Sequence, residues 1–348
     1  MTSTSYTPQW HDPNNILGAR PINCVAGDVG GTKSWLVWFI YRRLQPTELV
    51  FERSYSSTDF VSATALLLRF FADVGMHNTP QFVFLALPGP VDQQQATLTN
   101  LDWHLNATEL AAELGVLDVQ LINDFQAAAA GVETLHKSDY LTVNPGIARL
   151  GATRVITGAG TGLGVAWMQP DRAGQWQVFA SEGGHLDFAP SNREQWAVLE
   201  WLTTRHGGHV SWERVLSGDG LSALYAFATL NTGHECNLPA VQIHALALQG
   251  DALAVQAIQQ FADIYAAWLG NLVLMFQPRG GLYMAGGVTI HLQSWLSGER
   301  FVQHMSNKGR MTQLIAHTPV YLITNARLGV QGAMHRAIAT MKTKETTQ

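Results

Sequence analysis

Cysteine is nearly absent: 348 residues hold only Cys24 and Cys236, with no CxxC spacing. That count excludes a cysteine-rich zinc site and argues against a disulfide framework, so a reducing, cytoplasmic location is expected. Charge is sparse as well, at 14 % Asp, Glu, Lys and Arg with a net charge of −5 and no basic block. Binding to nucleic acid needs clustered Lys and Arg to neutralise phosphates, and none are present. Long hydrophobic runs are also missing. The longest, Ala266 to Phe276, is too short for the roughly 20 residues that cross a bilayer, so no membrane partner is expected. Met1 to Arg20 is polar, rich in Thr, Asn and Pro, and lacks the apolar core of a secretory signal. It is expected to form a flexible lead-in.

What remains is abundant apolar material, 47 % of the chain, which suits a large packed core rather than disorder. The length suggests two domains. Two apolar runs, Ile22 to Gly27 and Ser34 to Ile40, flank Asp28-Val29-Gly30-Gly31-Thr32 and predict a β-hairpin. A helix is predicted over Val61 to Phe71 and a buried strand over Phe82 to Leu87. Pro88-Gly89-Pro90-Val91 and Thr99-Asn100-Leu101-Asp102-Trp103 bracket a further hairpin, with Trp103 in the core. Asn106 and Glu109 suit the start of a helix to Leu114. A strand over Val119 to Ile122 and an Ala-rich helix over Phe125 to Leu135 follow. Thr153 to Thr157 and Gly164 to Met168 then repeat the strand–glycine loop–strand pattern, which points to an internal duplication. Helices dominate after Asn192, including one from about Ala252 to Met275. Strands at Gly281 to Met284 and Pro319 to Ile323 precede a last helix, Leu328 to Met341. Alternating strands and helices with glycine turns at strand ends indicate α/β domains around a cleft.

Several segments carry chemistry. Gly27-Asp28-Val29-Gly30-Gly31-Thr32 is suited to phosphate, because glycines let backbone N–H groups approach its oxygens. Asp28 at the strand end is a candidate Mg²⁺ ligand through water. Gly158-Ala159-Gly160-Thr161-Gly162-Leu163-Gly164 is a second such loop. It fits neither GxGxxG nor the P-loop pattern, which disfavours a dinucleotide fold. Asn123-Asp124 ends a strand. Asp124 there is placed either as a general base for a hydroxyl or as a helix N-cap, and spacing alone favours the cap. Glu182-Gly183-Gly184-His185 brings a carboxylate and an imidazole into one loop, suited to vicinal hydroxyls; it lacks the further ligands of a zinc site. His206 and His209, with glycines between them and no nearby carboxylate, read as a solvated turn. By pattern alone Glu213 is a helix-face charge.

Together these segments resemble the bacterial glucokinases of the hexokinase superfamily. Gly27 to Thr32 is similar to their first phosphate motif and Leu121-Ile122-Asn123-Asp124-Phe125 to their catalytic segment. Gly158 to Ala166 is similar to the second phosphate motif. Glu182 to Pro190 and Glu213 to Gly218 resemble the sugar signatures, and Ala285-Gly286-Gly287 the adenosine motif. Asn325, Leu328-Gly329 and Gly332-Ala333 resemble the closing element. The resemblance runs from about Val25 to Ile338. It implies a two-domain actin-like ATPase (ribonuclease H-like) α/β fold with an interdomain cleft. The small domain would be 21–134 plus 324–348, and the large one 135–323. It implies ATP and Mg²⁺ as cofactors, D-glucose as substrate and a homodimer.

Residue by residue, the resemblance makes Asp124 the base for the 6-hydroxyl, against the cap reading. Asn123, Glu182, His185 and Glu213 would hold the sugar with it. Gly27, Asp28, Val29, Gly30, Gly31, Thr32, Gly160 and Thr161 would meet the phosphates, and Gly286 and Gly287 the adenosine. Another hexose or aminosugar as acceptor, or a sugar sensor without catalysis, are the competing readings. Lys33 departs from the Asn common at this position in these glucokinases, and the zinc-bearing branch of related kinases is excluded by the cysteine count.

Overall fold

The computed structural model describes residues 21–75, 79–98 and 100–346. The expected lead-in, residues 1–20, and Thr99 of the bracketed hairpin lie outside them. In chain order the elements begin with strands β1 (Ile22–Val29), β2 (Lys33–Tyr41) and β3 (Glu48–Ser56), then helix α1 (Ala63–Val74). Next come β4 (Phe82–Leu87), β5 (Gln95–Leu98), β6 (Trp103–Asn106), α2 (Ala107–Leu114), β7 (Asp118–Asn123) and α3 (Asp124–Gly131). A second series holds β8 (Tyr140–Asn144), β9 (Arg154–Ala159), β10 (Leu163–Pro170), β11 (Trp176–Ser181), α4 (Arg193–His206) and α5 (Gly218–Thr229). It continues with α6 (Ala240–Leu248), α7 (Ala252–Phe276), β12 (Gly281–Ala285), α8 (Gly287–His291), α9 (Glu299–Ser306), α10 (Thr312–Ala316) and β13 (Val320–Ile323). The last helix is α11 (Leu328–Thr346).

The described residues form two compact units, one from 21–134 with 327–346 and the other from 135–326. In the first, the sheet order is β3-β2-β1-β4-β7. Strands β1, β2 and β3 are antiparallel neighbours, while β4 and β7 run parallel to β1. One face of the sheet is covered by α1 and α2, through Leu66, Leu67, Phe70 and Leu110. The other packs against α3 and α11, through Ala127, Val330, Ala333 and Met341. The alanines of α3 make this second layer thin, and small residues let the helix backbones close up. A Cβ on Gly131 would strike Leu328 O, and one on Gly332 would strike Ala127 O. Trp103 is buried, as its sequence context implies.

In the second unit the order is β11-β10-β9-β12-β13-β8. It too starts from an antiparallel meander whose first strand pairs parallel to a later one. The strand–glycine loop–strand pattern therefore recurs with the same pairing scheme. Its core is centred on α7, where Ile258, Phe261, Tyr265, Trp268 and Leu269 are fully buried. Burying each such side chain contributes about 1.5–3 kcal/mol. Thr324 N and Asn325 N donate to Asp139 O, which ties residues 324–326 to this unit rather than to the first.

Three predicted helices differ in extent. The first begins at Ala63 rather than Val61, because Ser62 Oγ accepts Ala65 N at 3.1 Å and caps it. The Ala-rich helix begins at Asp124 and stops at Gly131, where a short 3₁₀ turn takes over, rather than running to Leu135. The last one continues past Met341 to Thr346.

Candidate functional site

In the first unit, the turn between β1 and β2 closes with Gly30 N donating to Lys33 O. Ser57 occupies the inner side of the turn. Its Oγ donates to Gly30 O at 2.6 Å and its N to Thr32 O at 3.0 Å. Two carbonyls are thereby satisfied away from any anion that approaches the loop. Gly27 lies inside β1, where a Cβ would meet Leu36 Cδ2 at 2.5 Å, so its requirement is close packing. Val29 is buried in the same strand, and Thr32 is exposed. Lys33 folds back, its Nζ 4.6 Å above the Trp35 ring.

Asp28 sits half-buried near the end of β1, with its Oδ2 against Gly329 in the first turn of α11. Any side chain at Gly329 would displace this carboxylate. Desolvation pushes the Asp28 carboxyl up to about 6. A single desolvated carboxylate beside a phosphate-type loop fits a divalent cation that takes its remaining ligands from water and phosphate oxygens. Among the described residues no group of three or more His, Cys, Asp or Glu has the spacing to hold a metal by itself.

The cap role that spacing assigns to Asp124 falls to Asn123. Asn123 is the N-cap of α3: its Oδ1 accepts from Phe125 N at 2.9 Å and Gln126 N at 3.2 Å, and Gln126 Oε1 accepts Asn123 N. Asn123 Nδ2 donates to Gly89 O at 2.9 Å. The amide expected to bind sugar is thus engaged with the backbone here. Asp124 is the first residue of the helix, half-buried, with Oδ1 accepting Phe125 N at 2.8 Å. Two polar residues in a row leave the cap ambiguous in sequence. The extended backbone of Asn123, at φ −66° and ψ 145°, resolves it.

The second unit collects the other candidates. Glu182 precedes and His185 ends a short 3₁₀ turn, Gly183–His185, with Glu182 Oε2 4.0 Å from His185 Nε2. Glu213 is not a helix-face charge but the middle of a 3₁₀ turn, Trp212–Arg214. Its Oε1 is 4.0 Å from His185 Nδ1. The two turns are joined by backbone bonds, Trp212 N to Leu186 O and Phe188 N to Val210 O, both 2.9 Å. Trp212 is buried against Phe188 and Trp268, at ring-centroid distances of 5.2 and 5.3 Å. The pattern missed Glu213 because its orientation depends on this long-range anchoring.

The loop Gly158 to Gly164 lies beside that group. Glu213 Oε2 accepts Leu163 N at 2.9 Å, and Gly218 N donates to Gly160 O at 2.8 Å. Gly184 packs so closely on Leu163 O that no Cβ fits. The Ala285-Gly286-Gly287 segment interlocks with the same loop. Side chains at Gly158 or Gly286 would strike the backbone of Ala285 or Ala159, and Gly286 has φ +95°. Gly160, Thr161, Gly286, Gly287, Glu182, His185 and Glu213 therefore share one neighbourhood.

A family model described as Glucokinase matches residues 25–340. This chain belongs to the glucokinase family. A glucokinase from Nostoc sp. is 37 % identical over 332 residues, covering 89 % of this chain and 97 % of its own length. One from Synechocystis sp. is 36 % identical over 348 residues, covering 91 % of this chain and 98 % of its own. Among solved structures, a glucokinase from an Antarctic psychrotroph superposes with a TM-score of 0.77 at 30 % identity, covering 90 % of this chain and 98 % of that one. The fold is that of the actin-like ATPase sugar kinases.

Within this glucokinase-family chain, the second unit contains a cavity of about 810 Å³ that reaches both Thr161 and Glu213. Ser217, from the Glu213–Gly218 segment, lines it together with Asp219 and Asn237, which no sequence motif marks. The one available signal was Ser217 as the cap of α5, with Oγ accepting Gly220 N. Ser57 gave no signal at all, since it reaches the first loop only through the fold. His209 is also corrected: its Nε2 lies 3.2 Å from Asp187 Oδ1, so a carboxylate is nearby. That carboxylate arrives through the bridge between Asp187 and Ser211.

Proposed function

We propose that this chain transfers the γ-phosphoryl group of ATP to the 6-hydroxyl of D-glucose, giving glucose 6-phosphate and ADP. The observation that carries the reading is the Glu213 carboxylate, which lies 4.0 Å from His185 of the sugar-type pair on one side and accepts a hydrogen bond from the second glycine loop on the other. A polyol site and a phosphate site that share one residue suit group transfer between the two.

Asp124 acts as the general base. Phe125 N fixes one of its oxygens, so the carboxylate is oriented before the hydroxyl arrives, a role typically worth about 10²–10⁴ in rate. Glu182, His185 and Glu213 accept and donate hydrogen bonds to ring hydroxyls, with Asn123 supporting Asp124 as its neighbouring cap. Gly30, Gly31, Thr32, Gly160 and Thr161 meet the phosphates, and Gly286 and Gly287 the adenosine. Asp28 would hold Mg²⁺ through water, and that ion would supply charge neutralisation at the phosphates. The two lone cysteines suit a cytoplasmic enzyme, and a homodimer follows the family resemblance.

The test is ADP release with Mg·ATP over a hexose panel. Glucose is expected to exceed mannose, fructose and aminosugars by at least tenfold in kcat/KM, a difference that pocket contacts of about 1.4 kcal/mol supply. No turnover with glucose, or faster turnover with another hexose, would overturn the reading.

A further inference from the structure

We propose that Glu213 is a positioning residue that couples occupancy of the sugar site to the order of the second phosphate loop, so that glucose and ATP bind cooperatively. The inference rests on the reading above and adds to it a route within one unit of the molecule.

The two oxygens of Glu213 face different partners. Oε1 lies 4.0 Å from His185 Nδ1, on the sugar side. Oε2 accepts Leu163 N at 2.9 Å, and Leu163 opens β10 directly after the glycine run. Contact with the loop goes beyond that hydrogen bond. A Cβ on Gly162 would lie 2.5 Å from Oε2, so carboxylate and loop are close neighbours and a shift of one bears on the other. The segment that carries Glu213 grasps the loop a second time five residues later, where Gly218 N donates to Gly160 O at 2.8 Å. Buried Trp212 fixes the base of this segment.

The carboxylate itself keeps freedom that a ligand can remove. Its side chain is 30 % exposed, and His185 at 4.0 Å is outside hydrogen-bond reach. A sugar hydroxyl that donates to Oε1 fixes the rotation of the carboxylate. Oε2 is then held on Leu163 N, and the glycine-rich stretch before it loses conformations. A donor phosphate that binds this loop afterwards has less ordering left to impose, which is positive coupling without any large structural change. Linkage requires the reverse as well: ATP must tighten glucose binding by the same factor.

The experiment measures the affinity of a non-hydrolysable ATP analogue by calorimetry, with and without saturating glucose, in the full-length protein. The coupling factor is the ratio of the two dissociation constants. Wild type is expected to show at least about fivefold, within the usual range for coupled sites. Glu213→Gln keeps an acceptor at only one of the two oxygen positions, so its carbonyl faces Leu163 N or the sugar while its NH₂ group faces the other; the factor should fall at least threefold. Gly162→Ala pushes Oε2 off Leu163 N while leaving Oε1, and should lower the factor in the same way. A residue that only holds sugar, or only holds the fold, shifts the separate affinities and leaves their ratio alone. Wild-type coupling retained in both variants, or a ratio of one in wild type, overturns the proposal. Glucose that fails to bind wild type at all would instead overturn the functional reading on which the proposal stands.

Discussion

Replacing Asp28 by Asn removes a charge from a site that disfavours it while keeping the side chain's shape. The Asp28 carboxyl is pushed up from 3.8 to about 6 by desolvation. Between those values the folded protein keeps a proton that the unfolded chain has released, so stability falls as pH rises from about 4 to 6 and stays lowered above. Two pH units correspond to about 3 kcal/mol at neutral pH. The first turn of α11 adjoins the carboxylate, and the positive end of a helix offsets about 0.3–1 kcal/mol of that cost. A buried amide hydrogen of the new Asn without a partner subtracts about 1 kcal/mol more. Asp28→Asn should therefore stabilise the metal-free, nucleotide-free protein by about 1–2 kcal/mol at pH 8, raising Tm by about 2–8 °C. At pH 4 the gain should vanish. The same variant should lose most of its turnover, and Mg·ATP should raise its Tm less than that of wild type. Thermal denaturation at pH 4, 6 and 8 reads all of this. A variant less stable than wild type at pH 8, or a difference that does not change with pH, would refute the reasoning.

Glu182→Gln should raise the KM for glucose about tenfold with kcat within about threefold, since one charged hydrogen bond is worth about 1.5–3 kcal/mol; steady-state kinetics decide it. Gly332→Ala drives a methyl group into Ala127 O between α3 and α11 and should cost about 1–3 kcal/mol, seen as a lower denaturation midpoint. Lys33→Asn removes a cation that rests on Trp35. It should cost about 0.5–1 kcal/mol of stability and change the KM for ATP less than about twofold, because the ammonium is directed at the ring.

Local rules made some of this molecule legible. Strand β4 is a run of six buried residues, Phe82–Leu87, and any such run between turn signals reads as a central strand. Helix α2 announces itself through Asn106, whose Oδ1 accepts Thr108 N and Glu109 N. The β1–β2 hairpin follows from the glycine pair that splits two apolar runs. Strand β3 was illegible: it is an edge strand with mostly exposed side chains, held to β2 by backbone pairing. Among the described residues strand β8 pairs only with β13, about 180 residues later, and short-range patterns carry no trace of that. The site divides in the same way. Glycine loops and the Glu182–His185 turn are local, so their chemistry can be read from residue types. The roles of Glu213, Ser57 and Asp187 come from contacts across 22 to 50 residues, made after the chain has folded. Where Asn and Asp stand side by side, as at Asn123 and Asp124, only backbone geometry separates the cap from the candidate base.

The most direct measurement compares wild type with Asp124→Ala in glucose-dependent ADP release, with glucose binding to each followed by calorimetry. If Asp124 is the base, the variant binds glucose within about threefold of wild type and its kcat falls by about 10²–10⁴. Turnover within tenfold of wild type, with binding intact, would contradict the assignment.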